Sequence, residues 1–357
     1  MIWLDITDPK YVLFFKNLIP LLKNLDEVVI TTRKSKDYNE CYKLLKLFQI
    51  EAISLGSYGG ASKLDKFNSR LKRQKDFLKL FQKTGIPKIF ITGVSVEGTQ
   101  TAFALGIPII QFSDTPLASN FFSTDKTTVV AKLTLPLSNL IFRPFVVPEK
   151  CYSNLGIEPK NIIPYNFIDV AIWLKNLPAG NDFRKRYKLD DTKPTILIRE
   201  EEYKAHYVKE KNPIIYDCIG LLQNLEVNLV LMPRYGIDDL KNQFSDTKNL
   251  TILENKLPPQ DFYPFIDMLI GGGGTMNLES CYLGIPTIST RSLFLFHDKY
   301  LLDNKLMYHC KNAQEVLSIV KKYITSGFKR KNNQSFFEKE EATFEKIFLE
   351  IKKRFYY

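Results

Sequence analysis

Short apolar strand-like runs alternate with helix-length amphipathic runs along almost the whole chain, and this alternation restricts the fold more than any other feature. Residues 2–6 precede a helical pattern over 11–25, and residues 28–31 precede another over 38–48. Residues 52–55 lead into Gly56, Gly59 and Gly60. Next, Leu64, Phe67, Leu71, Leu78 and Phe81 recur at helical spacing, which predicts an amphipathic helix over 63–83 with a basic outer face. Strand-like runs at 88–92 and 108–112 flank a further helix. Strict strand–helix alternation calls for parallel strands joined by helical crossovers, an α/β architecture.

The pattern breaks once. Residues 176–194, NLPAGNDFRKRYKLDDTKP, are polar and rich in turn formers. Alternation then restarts, with strand-like runs at 195–198, 227–232, 250–253, 267–270 and 286–290. An internal echo spans the break: residues 88–108, KIFITGVSVEGTQTAFALGIP, match residues 266–286, IDMLIGGGGTMNLESCYLGIP, at an offset of 178. Each copy reads as a strand, a glycine-led loop, a helix ending at glycine and a strand begun by proline. The expected organisation is two Rossmann-like halves facing a central cleft. An N-terminal domain covers residues 1–176, a linker 177–194 and a second domain 195–334. Residues 335–357 form a charged helix whose apolar side (Phe336, Phe337, Phe344, Ile347, Phe348) packs back on the first domain.

Composition removes several function classes. A length of 357 residues accommodates two cores. No apolar run reaches the roughly 18 residues of a membrane span, and the opening MIWLDIT lacks the marks of a signal peptide, so a cytoplasmic protein is expected. Five scattered cysteines without a CxxC pair argue against a disulfide framework or zinc knuckle. With three histidines, at 206, 297 and 309, and no DxD triplet, neither a metal site nor a cofactor is expected. The net charge of +11 is uneven, with +8 in residues 1–164 and +3 in the remainder. That bias admits nucleic acid, an anionic membrane or a phosphorylated substrate, beside the plain reading of solvated lysine faces.

The strongest local signal is Gly271-Gly272-Gly273-Gly274-Thr275-Met276-Asn277-Leu278-Glu279. Glycines let a backbone approach a phosphate closely, and the N–H groups that open a helix favour an anion. A carboxylate at Glu279, about one turn into the helix, suits the paired hydroxyls of a ribose, as acidic residues do in dinucleotide folds. No GK[ST] follows, which disfavours a P-loop. The plainer alternative is a tight strand–helix turn with a surface glutamate.

This block resembles the nucleotide-binding segment of GT-B-fold enzymes, the glycosyltransferases and the related UDP-N-acetylglucosamine 2-epimerases. Together with WLDITDPKYVLFFKNLI, GVSVEGTQTAFALGIPIIQFSDT, KLTLPLSNLIFRP and LMPRYG, in order along the chain, it is similar to a poorly characterised prokaryotic family of that fold. The resemblance implies a nucleotide-diphosphate sugar, most simply a UDP-sugar, held mainly by the C-terminal domain. Gly272, Gly273, Gly274 and Thr275 are then expected at the diphosphate and Glu279 at the ribose. In the echo, Thr101 stands where Glu279 does, so one copy alone keeps the carboxylate. Arg199 and Arg234 end strand-like runs, and ligands of open parallel sheets lie beyond strand carboxyl ends, so both are expected at the diphosphate. In GT-B enzymes the loop holding Asp8 approaches the acceptor, and the similar family often has histidine there. Asp8 is therefore the first candidate general base, with its helix-capping role as the alternative. Asp114 is the second candidate, followed by Glu97 and by His206 in a charged loop.

The chain departs from the hydrolysing 2-epimerases where their chemistry lies. Val94 replaces the Asp of their GD-type turn, Thr128–Val129 replace an acidic pair, and their histidine motif is not visible after Ile198. Sugar transfer therefore ranks above 2-epimerisation in the same pocket, and both rank above a non-enzymatic nucleic-acid or anionic-surface binder, since no aromatic–basic RNA motif is present. The acceptor is unnamed by the sequence. The apolar stretch 117–147, near a basic helix, raises a lipid-linked acceptor and peripheral membrane contact, against the plainer reading of a buried strand and helix.

Overall fold

Ile2, Trp3, Leu4 and Asp5 are all buried because their strand, β1 (Ile2–Asp5), runs through the middle of a sheet covered on both faces. The structure is a computed structural model, described for residues 1–35, 39–60, 62–178, 180, 182–201, 214–234, 237–255 and 257–356. Contacts divide the chain into two units. The first comprises residues 1–118, 122–173 and 340–357, and the second 119–121 and 174–339.

Among the described residues the first unit has seven parallel strands: β1, β2 (Val28–Thr32), β3 (Ile53–Ser54), β4 (Ile89–Thr92), β5 (Ile109–Phe112), β6 (Leu140–Pro144) and β7 (Ile162–Tyr165). Their order is β3-β2-β1-β4-β5-β6-β7. The second unit has β8 (Thr195–Arg199), β9 (Asn228–Met232), β10 (Leu250–Ile252), β11 (Met268–Gly271), β12 (Thr287–Ser289) and β13 (Tyr308–His309), in the order β10-β9-β8-β11-β12-β13. The two orders are the same doubly wound pattern, which reverses direction between β1 and β4 in one sheet and between β8 and β11 in the other. At such a reversal the flanking loops diverge and leave room for a ligand beyond the strand carboxyl ends. The sequence echo falls on equivalent places, β4–helix–β5 and β11–helix–β12, both starting at the reversal.

Local chemistry explains where the helices begin. Asp8 caps the helix Pro9–Phe15, accepting from Lys10 N at 2.8 Å, and Pro9 fits the first helical position. Ser62 caps Lys63–Thr84 and Ser95 caps Val96–Ala104, each accepting from a backbone N–H three residues on, at 3.0 Å. Residues 177–194 belong to the second unit, where Phe183 joins the core with Leu197 and Val230.

Two expectations change. The charged C-terminal helix is not continuous: Gln334–Phe337 and Glu345–Phe355 are separate helices. Their aromatic anchors lie in different units, Phe337 against Tyr282 at 5.5 Å and Phe344 against Phe14 at 4.9 Å. The helix Lys63–Thr84 forms, but Leu64, Phe67, Leu71 and Leu78 face outward, and Phe77, Phe81 and Arg73 are the residues it buries.

Arg73 explains that rotation. Its guanidinium grips both oxygens of buried Asp5 at 2.7 and 3.0 Å and donates from Nε to Leu55 O at 2.9 Å. Thr31 Oγ1 donates to Asp5 at 2.6 Å and accepts from Trp3 Nε1 at 2.8 Å. Trp3 is packed by Phe77, Phe81 and Phe90, with ring centroids 4.2–4.9 Å away. A buried fork of this kind fixes the helix rotation, because a slip would strand a carboxylate in the core. Arg73→Met should therefore destabilise the protein by about 3–5 kcal/mol, read as a lower urea midpoint. Removing both charges together, as Arg73→Met with Asp5→Leu, should recover much of that loss.

Candidate functional site

The site is built on the carboxyl ends of β8, β9 and β11. Register places Arg199 beside both Gly271 and Met232. The chain then turns from β11 directly into the helix Gly274–Tyr282, whose cap position is Gly273 and carries no side-chain hydrogen bond. The first N–H groups of a helix lack intrahelical acceptors, so this end offers donors and a partial positive charge.

Each glycine of the run answers a specific crowding. A methyl group on Gly271 would fall 1.9 Å from Asn277 Oδ1, and one on Gly272 would fall 2.6 Å from the backbone N of Glu201. A methyl on Gly273 would meet Arg234 Nη2 at 3.3 Å, and one on Gly274 would meet Arg291 Nη1 at 2.7 Å. The backbone of the turn thus touches two guanidiniums and the start of the β8 loop. Thr275 is half-buried in the first helical turn.

Acidic side chains of the β8 loop hold this frame together. Glu200 accepts from Arg234 N at 2.7 Å and from the Tyr216 hydroxyl. Glu201 accepts from Ser292 N at 2.8 Å and Ser292 Oγ at 2.7 Å. Arg291 donates to Asp298 Oδ2 at 2.9 Å, and the same oxygen receives Leu295 N at 2.9 Å. Arg199 is largely buried, and its Nη1 donates to the carbonyls of Met232 at 3.1 Å and Pro233 at 2.7 Å. It ties the end of β8 to the end of β9, which positions Arg234. Arg291 directly follows the strand-like run 286–290, as Arg199 follows 195–198, so the same strand-end signal points to it although sequence reasoning did not single it out.

Glu279 is buried rather than a surface residue, and its Oε2 accepts from the Tyr263 hydroxyl at 2.7 Å. Burial, with the neighbouring Glu279 carboxylate second, pushes the Tyr263 phenol well above its usual range, so it stays a donor. This bond orients the Glu279 carboxylate.

The other candidates belong to the first unit. Asp8 is the helix cap described above. Asp114 is bound to Lys10, whose ammonium also contacts Asp169, and Tyr165 donates to Asp169. Burial alone would lower the Lys10 pKa, but Asp114 and Asp169 outweigh it and hold the ammonium above the ordinary lysine range. Lys10 therefore contributes stability that is fully present below the ordinary lysine value and is lost as pH rises through the elevated one. Glu97 lies 3.8 Å from Arg33 and 3.7 Å from Arg73. His206 lies outside the described residues. Among the described residues no group of three or more His, Cys, Asp or Glu is arranged to hold a metal ion.

The fold is that of the GT-B-like enzymes, two parallel-sheet α/β domains. S. aureus MnaA in a structure with UDP superposes with a TM-score of 0.76 at 14% identity, covering 99% of this chain and 96% of that one. The Methanocaldococcus jannaschii UDP-GlcNAc 2-epimerase in complex with UDP-GlcNAc and UDP gives 0.74 at 13% identity, covering 99% of both chains. The glycotransferase of kitacinnamycin gives 0.62 at 11% identity, covering 99% of both. By sequence the chain belongs to the DUF354 family of proteins of unknown function, matched over residues 1–352. An uncharacterised protein of M. jannaschii is 29% identical over 327 residues, 89% of this chain and 90% of that protein.

The crowding around the glycines separates two substitutions. Gly273→Ala should fold normally, because only a flexible guanidinium must yield, yet weaken UDP binding by about tenfold, the equivalent of about 1.4 kcal/mol. Gly272→Ala must push backbone aside and should cost about 1–3 kcal/mol of stability. Thermal melts and calorimetric titration of the two variants distinguish these outcomes.

Proposed function

We propose that the chain is a metal-independent sugar transferase that binds a nucleotide-diphosphate sugar in its second unit. The observation that carries this reading is the meeting of two guanidiniums, Arg234 and Arg291, with a helix N-terminus whose cap residue is Gly273, at the β8/β11 reversal. A diphosphate carries the charge and acceptor oxygens that such donors need. The backbone of Gly272, Gly273, Gly274 and Thr275 faces the phosphates, and Glu279 receives the ribose hydroxyls. Arg199 acts by fixing the end of β9. Fold neighbours solved with UDP or a UDP-sugar support a uridine nucleotide.

In this reading the helix donors and guanidiniums stabilise the nucleotide as it leaves, and Asp8 takes the proton from the acceptor hydroxyl. Asp114 ranks behind Asp8, because Lys10 engages it. A 2-epimerase reading is favoured by the named fold neighbours and opposed by Val94, Thr128 and Val129. Incubation with UDP-GlcNAc alone discriminates: epimerised or freed sugar without any acceptor would establish the epimerase.

Three substitutions probe the roles. Arg291→Ala and Arg234→Ala should each weaken UDP by tenfold or more and leave uridine nearly unchanged, since a charge-assisted contact is worth about 1.5–3 kcal/mol. Glu279→Gln keeps an acceptor for Tyr263 but loses the charge, so UDP and uridine should weaken together by about tenfold. Equal loss of both ligands in the arginine variants would contradict the phosphate assignment.

Asp8→Asn separates base from cap. Asparagine caps as well as aspartate, so the melting temperature should hold. Turnover, measured as UDP release with an acceptor found by screening, should fall by about 10²–10⁴-fold.

A further inference from the structure

The helix Lys63–Thr84 presents an outer surface that the nucleotide reading does not use. Leu64 is 67% exposed, Phe67 52%, Leu71 42% and Leu78 45%. At 3.6 residues per turn these four fall within about 60° of the helix circumference, a continuous apolar stripe. Lys72, Lys75, Lys79 and Lys83, all exposed, occupy the next ~80° of that circumference. Lys63 flanks the stripe on its other side, and Asp65 and Asp76 lie at the far edge of the lysine arc. The helix cannot roll the stripe inward, because Arg73 anchors it to Asp5. Two helices on the same side of the sheet add exposed apolar groups, Phe103 at 60% and Val129 at 69%.

We propose that this face docks on an anionic lipid bilayer. An apolar stripe bordered by lysines matches the boundary between acyl chains and negatively charged headgroups: Leu64, Phe67, Leu71 and Leu78 enter the boundary, and the lysines meet the headgroups. Charge selects this occupant over a second copy of the chain. With buried Arg73 set aside, the helix carries seven Lys or Arg against two Asp, and a symmetric pairing through the same face would stack that excess against itself. The apolar stretch 117–147, raised from the sequence as a membrane element, contributes Val129 to this side, while its Leu135, Leu140, Ile141 and Phe142 are buried. Among the described residues no helix is long and apolar enough to cross a membrane, so attachment is peripheral. This inference stands apart from the nucleotide site.

Vesicle flotation of the full chain tests it, comparing phosphatidylcholine vesicles with vesicles holding about one-third phosphatidylglycerol. The chain should float with the anionic vesicles, not with the neutral ones, and molar salt should lower the partition about tenfold or more. Phe67→Ser with Leu71→Ser, and separately Lys72→Gln with Lys75→Gln and Lys79→Gln, should each lower it about tenfold at an unchanged melting temperature. Absence of flotation overturns the proposal, as does flotation indifferent to both variants. A salt-resistant dimer that the serine variant dissociates, without vesicle binding, would give the face to a second copy.

Discussion

Everything at the candidate site depends on the absence of side chains at the end of β11. Four successive glycines let the strand end press against Asn277, the β8 loop and two guanidiniums within one turn. Any larger residue at Gly271 would collide with the Asn277 side chain, and at Gly272 with the Glu201 backbone. Because those contacts are close, the helix Gly274–Tyr282 starts beside Arg234 and Arg291. Backbone donors and cationic side chains thereby share one small region.

Acidic side chains hold the frame around these guanidiniums. Glu200 binds the Arg234 backbone, Glu201 binds Ser292, and Asp298 holds Arg291 by one oxygen. Each acid fixes the geometry of a loop at the site. The first unit solves a related problem with opposite means. There the reversal between β1 and β4 is filled by Asp5 and Arg73, a buried pair that sets the helix above it. Two sheets of the same topology thus treat equivalent positions differently, one closed by its own ion pair and one lined with donors.

Much of this was legible in the sequence, for identifiable reasons. Strand and helix periods and the echo at 178 residues reveal the alternation, because a buried parallel strand and an amphipathic crossover have distinct patterns. The glycine run reveals the turn, since side chains at Gly271 and Gly272 would collide with close neighbours. Arg199 was legible as a strand-end residue, but not its engagement with the Met232 and Pro233 carbonyls, which depends on register between strands far apart in sequence. Arg291 carried the same strand-end signal after 286–290, but its approach to Gly274 depends on the fold. The helix at 63–83 was legible in period but not in rotation: four apolar residues outweigh one arginine in any hydrophobic count, yet buried Asp5 makes that arginine decisive. Asp114 was visible as a strand-end carboxylate, whereas its ion pair with Lys10 joins residues 104 positions apart.

The central claim is that the second unit holds a nucleotide diphosphate at the β8/β11 reversal. A crystal structure of the chain soaked with UDP tests this most directly. The account predicts the diphosphate at the N-terminus of the helix Gly274–Tyr282, within hydrogen-bond reach of Arg234 and Arg291, with the ribose at Glu279. A nucleotide bound elsewhere, or an empty site at a UDP concentration that saturates binding in solution, would contradict it.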